Sequence, residues 1–304
     1  MRILLALDGS TCAEIARDLV RTLPLPPDTI IEAIRVVEPI YDLFSVPGVV
    51  FDGPIEEVLG LDEVRRALDA EAAVLTQDNV SVTTTVVVGR PASAILERAT
   101  QVGADLIVMG SRGRGAIATM VLGSTSAEVA AHAPCPVLVA RTAGIGRVLL
   151  ALDGAEGSDR IVASVAAMAI LRNAHIEVLS VAPSFIPGPG VMLSGGYGVP
   201  IAWYEESVAA ARTALEGVAR GAAERLAAAG LDATWTVKDG DAAATIIDTA
   251  AHGEADLVVI GTRRRTGLSR LLLGSVARNV LTHAHASVLV LRLPGDEARP
   301  TDAA

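Results

Sequence analysis

The chain repeats itself, and that repetition limits its fold more than any other feature. Arg2-Ile-Leu-Leu-Ala-Leu-Asp-Gly9 returns as Arg147-Val-Leu-Leu-Ala-Leu-Asp-Gly154. Ala104-Asp-Leu-Ile-Val-Met-Gly110 returns as Ala255-Asp-Leu-Val-Val-Ile-Gly261, and Leu122-Gly-Ser124 as Leu273-Gly-Ser275. Pro136-Val-Leu-Val139 returns as Ser287-Val-Leu-Val290. The pairs keep their order and nearly their spacing. The period is close to half of the 304 residues, far longer than a solenoid repeat. Two whole domains in tandem are expected: 1–143, then 146–294 after a short link at Ala143-Gly-Ile-Gly146, with 295–304 as a flexible tail. Each half is long enough to bury its own core.

Within the first half, Ile3 to Leu7 is a short apolar run ending in Asp8-Gly9, which predicts a buried strand and a turn. Ser10 is placed to cap a helix from Thr11 to about Leu23, where Pro24, Pro26 and Pro27 end it. Strands are expected at Thr29–Val37, Val80–Val88, Leu106–Met109 and Pro136–Ala140. Helices are expected at Leu61–Gln77, from Pro91 to Val102, and at Ser124–Ala133. The second half follows the same order, with an alanine-rich helix over Tyr204–Ala229. Strands alternating with helices predict an α/β fold, a parallel sheet covered on both faces. The composition agrees: 51% hydrophobic residues with only 3% aromatics builds cores from Ala, Val, Leu and Ile.

A net charge of -10 argues against a general nucleic-acid binder, because phosphate backbones are held by positive surface. An acidic protein can still hold a nucleotide locally through backbone N–H groups. The two cysteines, Cys12 and Cys135, imply no disulfide framework. Neither a signal-peptide pattern at the start nor an apolar run of membrane-spanning length is seen, so a cytoplasmic protein with no membrane partner is expected.

The segment that carries chemistry is Gly110-Ser-Arg112-Gly113-Arg114-Gly115, continuing through Ala-Ile-Ala-Thr-Met-Val-Leu to Gly123-Ser124-Thr125. It joins the end of an apolar strand to the start of a helix. Glycines let the backbone approach a ligand closely, and a helix N-terminus offers free N–H groups and a favourable dipole to an anion. It is not a Walker A loop, since Gly-Lys-Ser/Thr is absent and the sole lysine, Lys238, lies elsewhere. Nor does a Gly-x-Gly-x-x-Gly fingerprint follow the first strand. His132, His283 and His285 lie near helix ends and read as surface residues or dipole partners rather than ligands, and no metal spacing with cysteine occurs. Cys135, between two prolines, reads as structural.

The spacing Gly-x2-Gly-x9-Gly-Ser after Asp-Leu-Ile-Val-Met resembles the ATP-binding signature of universal stress proteins. The Leu-Leu-Ala-Leu-Asp-Gly-Ser start and the His132-Ala-Pro-Cys-Pro-Val-Leu-Val139 end resemble that family as well, in both halves, as in its tandem form. The resemblance implies two flavodoxin-like or Rossmann-like domains, each a five-stranded sheet in the order 3-2-1-4-5, with the ligand where the order reverses, between strands 1 and 4. It implies ATP as ligand: the backbones of Ala6 and Val36 beside adenine, Met109 and Gly110 beside the sugar, and Asp8 near ribose and phosphates, where it could hold Mg. Gly113, Gly123, Ser124 and Thr125 would hold phosphates, with Arg112 and Arg114 adding charge. It also implies that the last strands, Val137–Ala140 and Val288–Leu291, pair the two halves within the chain, and it leaves room for a homodimer of whole chains.

The second half keeps Ala151, Asp153, Val181, Gly261, Gly274 and Ser275 at the matching places, with Ile260 and Val276 where Met109 and Thr125 stand, so the rest of its site is expected to be intact. It differs at Arg264, which replaces the middle glycine. Two outcomes are open: the side chain crowds the phosphates, or its guanidinium pairs with one. The two sites are therefore expected to differ in affinity. The Gly-Pro-rich stretches after each second strand read either as linkers or as flaps over the nucleotide. The leading functional expectation is an ATP-binding stress-response regulator or nucleotide-dependent switch, with slow ATP hydrolysis at most and no catalytic residue to name. The alternatives are an ATP-hydrolysing or nucleotidyl-transfer enzyme on the same sheet, and a nucleotide-free scaffold.

Overall fold

A computed structural model describes residues 1–39, 59–113, 122–184, 201–262 and 273–292, and, for 201–205, the backbone. In the first half, strand β1 (Arg2–Ala6) leads to helix α1 (Thr11–Thr22) and strand β2 (Thr29–Val37). Helix α2 (Leu61–Ala73), β3 (Val80–Val88), α3 (Pro91–Val102), β4 (Leu106–Gly110), α4 (Ser124–His132) and β5 (Val137–Ala140) follow. The second half repeats this as β6 (Arg147–Ala151), α5 (Ser158–Ala167), β7 (His175–Ala182), α6 (Ile201–Ala228) and β8 (Asp232–Asp239), then α7 (Ala242–His252), β9 (Leu257–Gly261), α8 (Ser275–His283) and β10 (Ser287–Leu291). The two irregular stretches expected after β2 and β7 fall largely outside the described residues, as do the tail and the flap-or-linker alternative attached to those stretches.

All ten strands form one sheet in the order β3-β2-β1-β4-β5-β10-β9-β6-β7-β8. Each half keeps the 3-2-1-4-5 order, and pairing is parallel everywhere except at the seam. There β5 and β10 run antiparallel, with Val139 opposite Val288 and Val137 opposite Val290. The seam strands are buried throughout, as are β4 and most of β9. This explains why they read as unbroken Val/Leu/Ile runs: with helices on both faces, no residue of such a strand faces water. The outermost strands β3 and β8 consist of partly exposed and exposed residues.

Two hydrophobic layers, one on each face of the sheet, contain residues from both halves. The polar contacts across the seam are nearly reciprocal. The backbone N–H groups of Arg141 and Thr142 donate to Ser287 Oγ (3.0 and 3.1 Å). The Arg141 guanidinium donates to the carbonyls of Leu281 and Ala286 at the end of α8 and just beyond. Arg292 does the same for the first half, donating to the carbonyl of Ala131 at the end of α4. Each half thus places an arginine on the negative end of a helix in the other half. Burial, with Arg112 nearby, pulls the Arg141 guanidinium down to about 10, still charged at neutral pH. Because the halves are antiparallel, the carboxyl ends of their strands open on opposite edges of the sheet.

Candidate nucleotide site

The first site is built where β1 and β4 separate. Leu7 N–H donates to Ile34 O (2.9 Å), so the chain leaves the sheet only after Leu7. Asp8 then closes a tight turn, its Oδ1 accepting the Ser10 N–H at 3.0 Å, while Gly9 sits in the left-handed region at φ 75°. Ser10 caps α1 as expected, its hydroxyl accepting from Ala13 N–H (3.2 Å) and donating to Arg112 O (3.3 Å). One serine therefore fixes the start of α1 and ties it to the glycine loop.

The glycines are required by close approach. A Cβ on Gly110 would lie 2.6 Å from the Cys12 carbonyl atoms and 2.9 Å from Ala13 N, all backbone. A Cβ on Gly113 would lie 2.7 Å from Asp8 Oδ2, so the loop rests directly on the Asp8 carboxylate. Gly123 N–H donates to Ser111 O (2.7 Å), which draws the two ends of the loop together, and Ser126 Oγ donates to Gly110 O (2.8 Å). Gly123 precedes α4 without any side-chain cap, so the first N–H groups of α4 are free of a capping side chain.

These elements enclose a cleft of about 220 Å³. Ten of the eleven residues expected from the sequence in this half line it: Ala6, Asp8, Val36, Met109, Gly110, Arg112, Gly113, Gly123, Ser124 and Thr125. The eleventh, Arg114, lies outside the described residues. Ile34, Pro91 and Ile95 also line the cleft, forming an apolar wall with Val36 that sequence reasoning missed. The signal was present: Ile34 shares the inward face of β2 with Val36, and Ile95 stands one helical turn beyond Pro91. Arg35 was missed too. It is only 5% exposed, donates from Nε to Leu7 O (2.9 Å), and pairs with Glu71 of α2 at 2.7 Å. It holds the carbonyl just before Asp8.

The second half differs in the turn as well as in the loop. Asp153 Oδ1 accepts Ala155 N–H (3.0 Å) and Gly154 sits at φ 69°, repeating the turn after β1. Yet Ala155 stands where Ser10 stands. Without that hydroxyl α5 has no side-chain cap and begins only at Ser158, and Asp153 is exposed where Asp8 is half-buried. The space a Cβ on Gly261 would need is taken by the Ile161 side chain rather than by helix backbone. A Cβ on Gly154 would touch Val218 and Leu215 of α6 at 3.3 and 3.4 Å. Ser180 replaces Arg35, fully buried, its hydroxyl without a hydrogen-bond partner among the described residues. The expectation that only Arg264 sets the second site apart is thus amended at Ala155 and Ser180. Ala151, Val181, Ile260, Gly274, Ser275 and Val276 stand at their strand and helix ends, and Arg264 itself lies outside the described residues.

His132 and His283 occupy the last turns of α4 and α8, each donating from its ring to the carbonyl four residues earlier, Glu128 and Asn279. Burial raises the Cys135 thiol to about 12, in keeping with an inert structural residue. Lys238 lies on β8, where its ammonium donates to Thr249 Oγ1 (3.0 Å).

The sequence profile of the universal stress protein family matches residues 1–141 and again 144–292. The chain belongs to the universal stress protein family. Among similar family members, a universal stress protein of Thermus aquaticus is 37% identical over 140 residues, covering 46% of this chain and 97% of that protein. The universal stress protein Rv2005c of Mycobacterium tuberculosis is 28% identical over 242 residues, 73% of each chain. A universal stress protein structure from Archaeoglobus fulgidus superposes with a TM-score of 0.61 at 18% identity, covering 97% of both chains. Protein PA1789 of Pseudomonas aeruginosa gives 0.61 at 21% identity, over 96% of this chain and 92% of that one. These two likenesses establish a shared fold across both halves. Among the described residues, no helix is long and apolar enough to cross a membrane.

Proposed function

We propose that the first half binds ATP and that the protein acts as a nucleotide-dependent regulator of a stress response. The observation that carries this reading is the composition of one cleft: an apolar wall of Ile34, Val36 and Ile95, the Asp8 carboxylate, and the uncapped start of α4 at Ser124 and Thr125. The base stacks on the wall, beside the backbones of Ala6 and Val36. The phosphates lie toward α4, where N–H groups, two hydroxyls and the helix dipole all favour negative charge. Arg112 lines the same cleft and adds positive charge.

The donor set also suits magnesium held together with a nucleotide. Magnesium is commonly held by one or two carboxylates plus substrate phosphates, and Asp8 is the carboxylate lining this cleft. When bound, the ion would supply neutralisation of phosphate charge. Asp8 would hold it, with the Ser10 N–H fixing the other carboxylate oxygen.

The test is to purify the full chain, denature it and identify the released small molecules by mass spectrometry. ATP at a substantial fraction of the protein supports the reading. AMP or other hydrolysis products would favour an enzyme, and nothing released, with no ATP binding on titration, would favour a scaffold.

A further inference from the structure

The internal repeat shows what one part of the second half lacks. Glu32 of β2 and Glu177 of β7 occupy matching positions, facing the helix that follows the third strand of each half. In the first half Glu32 is 8% exposed, and its Oε1 accepts from Thr85 Oγ1 and from Arg98 Nε, both at 2.7 Å. Arg98 comes from α3. Aligning the buried faces of α3 and α7, with Ala92, Ile95 and Ala99 against Ala243, Ile246 and Ala250, places Thr249 where Arg98 stands. At the strand entrance, His175 replaces Ile30.

Beside Thr249, where the first half has Arg98, lies a cavity of about 440 Å³, lined by Arg147, Leu149, His175, Glu177, Thr249 and Gly253 among others. That size is within the range of small-molecule sites. The basic groups around it are already engaged. Arg147 Nη1 donates to Gly253 O (3.1 Å), just as Arg2 donates to Val102 O (2.8 Å) in the first half. The His175 ring nitrogens meet Asp232 Oδ2 at 2.8 Å and Thr234 Oγ1 at 3.2 Å. Lys238 is held at Thr249 Oγ1. The Glu177 carboxylate, by contrast, has no hydrogen bond or ion pair among the described residues. Glu177 is half-buried at the cavity wall, and the donor its twin uses is a guanidinium.

We propose that this cavity is a binding site for a guanidinium group, which enters from outside to take the place beside Glu177 that Arg98 fills beside Glu32. The planar, multiply donating guanidinium suits a carboxylate better than an ammonium does. Two sources share this chemistry: a free small molecule of arginine or agmatine type, and an arginine side chain presented by another protein. The site lies at the amino ends of the β6 and β7 strands, away from the Asp153 turn, and does not depend on nucleotide binding.

The full chain is titrated by calorimetry and thermal melting with L-arginine, agmatine and a blocked Gly-Arg-Gly peptide amide. L-citrulline, the uncharged analogue, and sodium chloride at equal ionic strength are the controls. A saturable rise in melting temperature with one molecule bound per chain is expected for guanidinium compounds and not for citrulline. Binding should weaken at least tenfold in Glu177→Gln. Thr249→Arg should abolish it while raising the melting temperature above wild type, since the cavity is then filled from within. Binding of agmatine or arginine assigns the site to a small molecule, and binding of the peptide alone assigns it to a protein arginine. No saturable binding by any of the three, or equal binding by Glu177→Gln, overturns the proposal.

Discussion

Replacing Gly113 by alanine tests whether the loop acts on nucleotide through Asp8. The added Cβ would stand 2.7 Å from Asp8 Oδ2, about 0.7 Å inside ordinary contact. The carboxylate must give way, because its other oxygen is held by the Ser10 N–H at 3.0 Å and cannot keep that bond through a large rotation. Asp8 is half-buried at a turn, so the fold can absorb the shift, and a stability loss of no more than about 1 kcal/mol is expected. The ligand cannot absorb it in the same way. Losing one hydrogen bond or metal contact to a charged group costs roughly 1.5–3 kcal/mol. That is roughly a tenfold to hundredfold rise in the Kd for ATP. Calorimetric titration at fixed magnesium gives the affinity, and urea unfolding gives the stability. A double-mutant cycle makes the test specific: in an Asp8→Ala background, Gly113→Ala should change affinity little further. An unchanged Kd in Gly113→Ala alone, or full additivity of the two substitutions, would refute this account of the loop.

Other outcomes follow from the same geometry. Arg35→Met removes the partner of Glu71 and the donor to Leu7 O. It should cost about 2–4 kcal/mol in urea unfolding, whereas Ser180→Ala, which removes a buried hydroxyl without a partner, should be neutral or slightly stabilising. Ser287→Ala leaves the N–H groups of Arg141 and Thr142 without their acceptor at the seam and should lower stability by about 1–3 kcal/mol. With its thiol raised to about 12, Cys135 stays protonated at pH 8. Native protein should therefore release colour from a disulfide reagent at Cys12 alone, and Cys12→Ser should react only after unfolding.

The fold was legible because each clue was local or repeated. Apolar runs, the Asp-Gly turns and Pro91 mark element ends, and the duplication doubles every sign. The seam could be expected because Val137–Ala140 and Val288–Leu291 are apolar runs at the sheet edges, which invite pairing, and because the family resemblance implies that these strands pair the two halves. In the site, the glycines and Asp8 could be read because a spacing pattern encodes backbone approach. Ile34 and Ile95 did carry a periodicity signal, whereas Arg35, Ala155 and Thr249 act through tertiary contacts that carry no spacing signal. Arg35 sits in a strand where an arginine ordinarily faces water, and only the fold shows it reaching Leu7 O and Glu71. Ala155 differs from Ser10 by one oxygen, yet that oxygen starts a helix and ties down a loop. The change from Arg98 to Thr249 becomes meaningful only once Glu32 and Glu177 are seen facing those helices.

The central claim is an asymmetric pair of sites, with ATP held in the first half. Its most direct test is calorimetric titration of ATP into wild type, Asp8→Ala and Asp153→Ala. The account predicts one tight step in wild type that Asp8→Ala removes and Asp153→Ala keeps. Two equal, independent steps in wild type, or loss of the tight step in Asp153→Ala with its retention in Asp8→Ala, would contradict it.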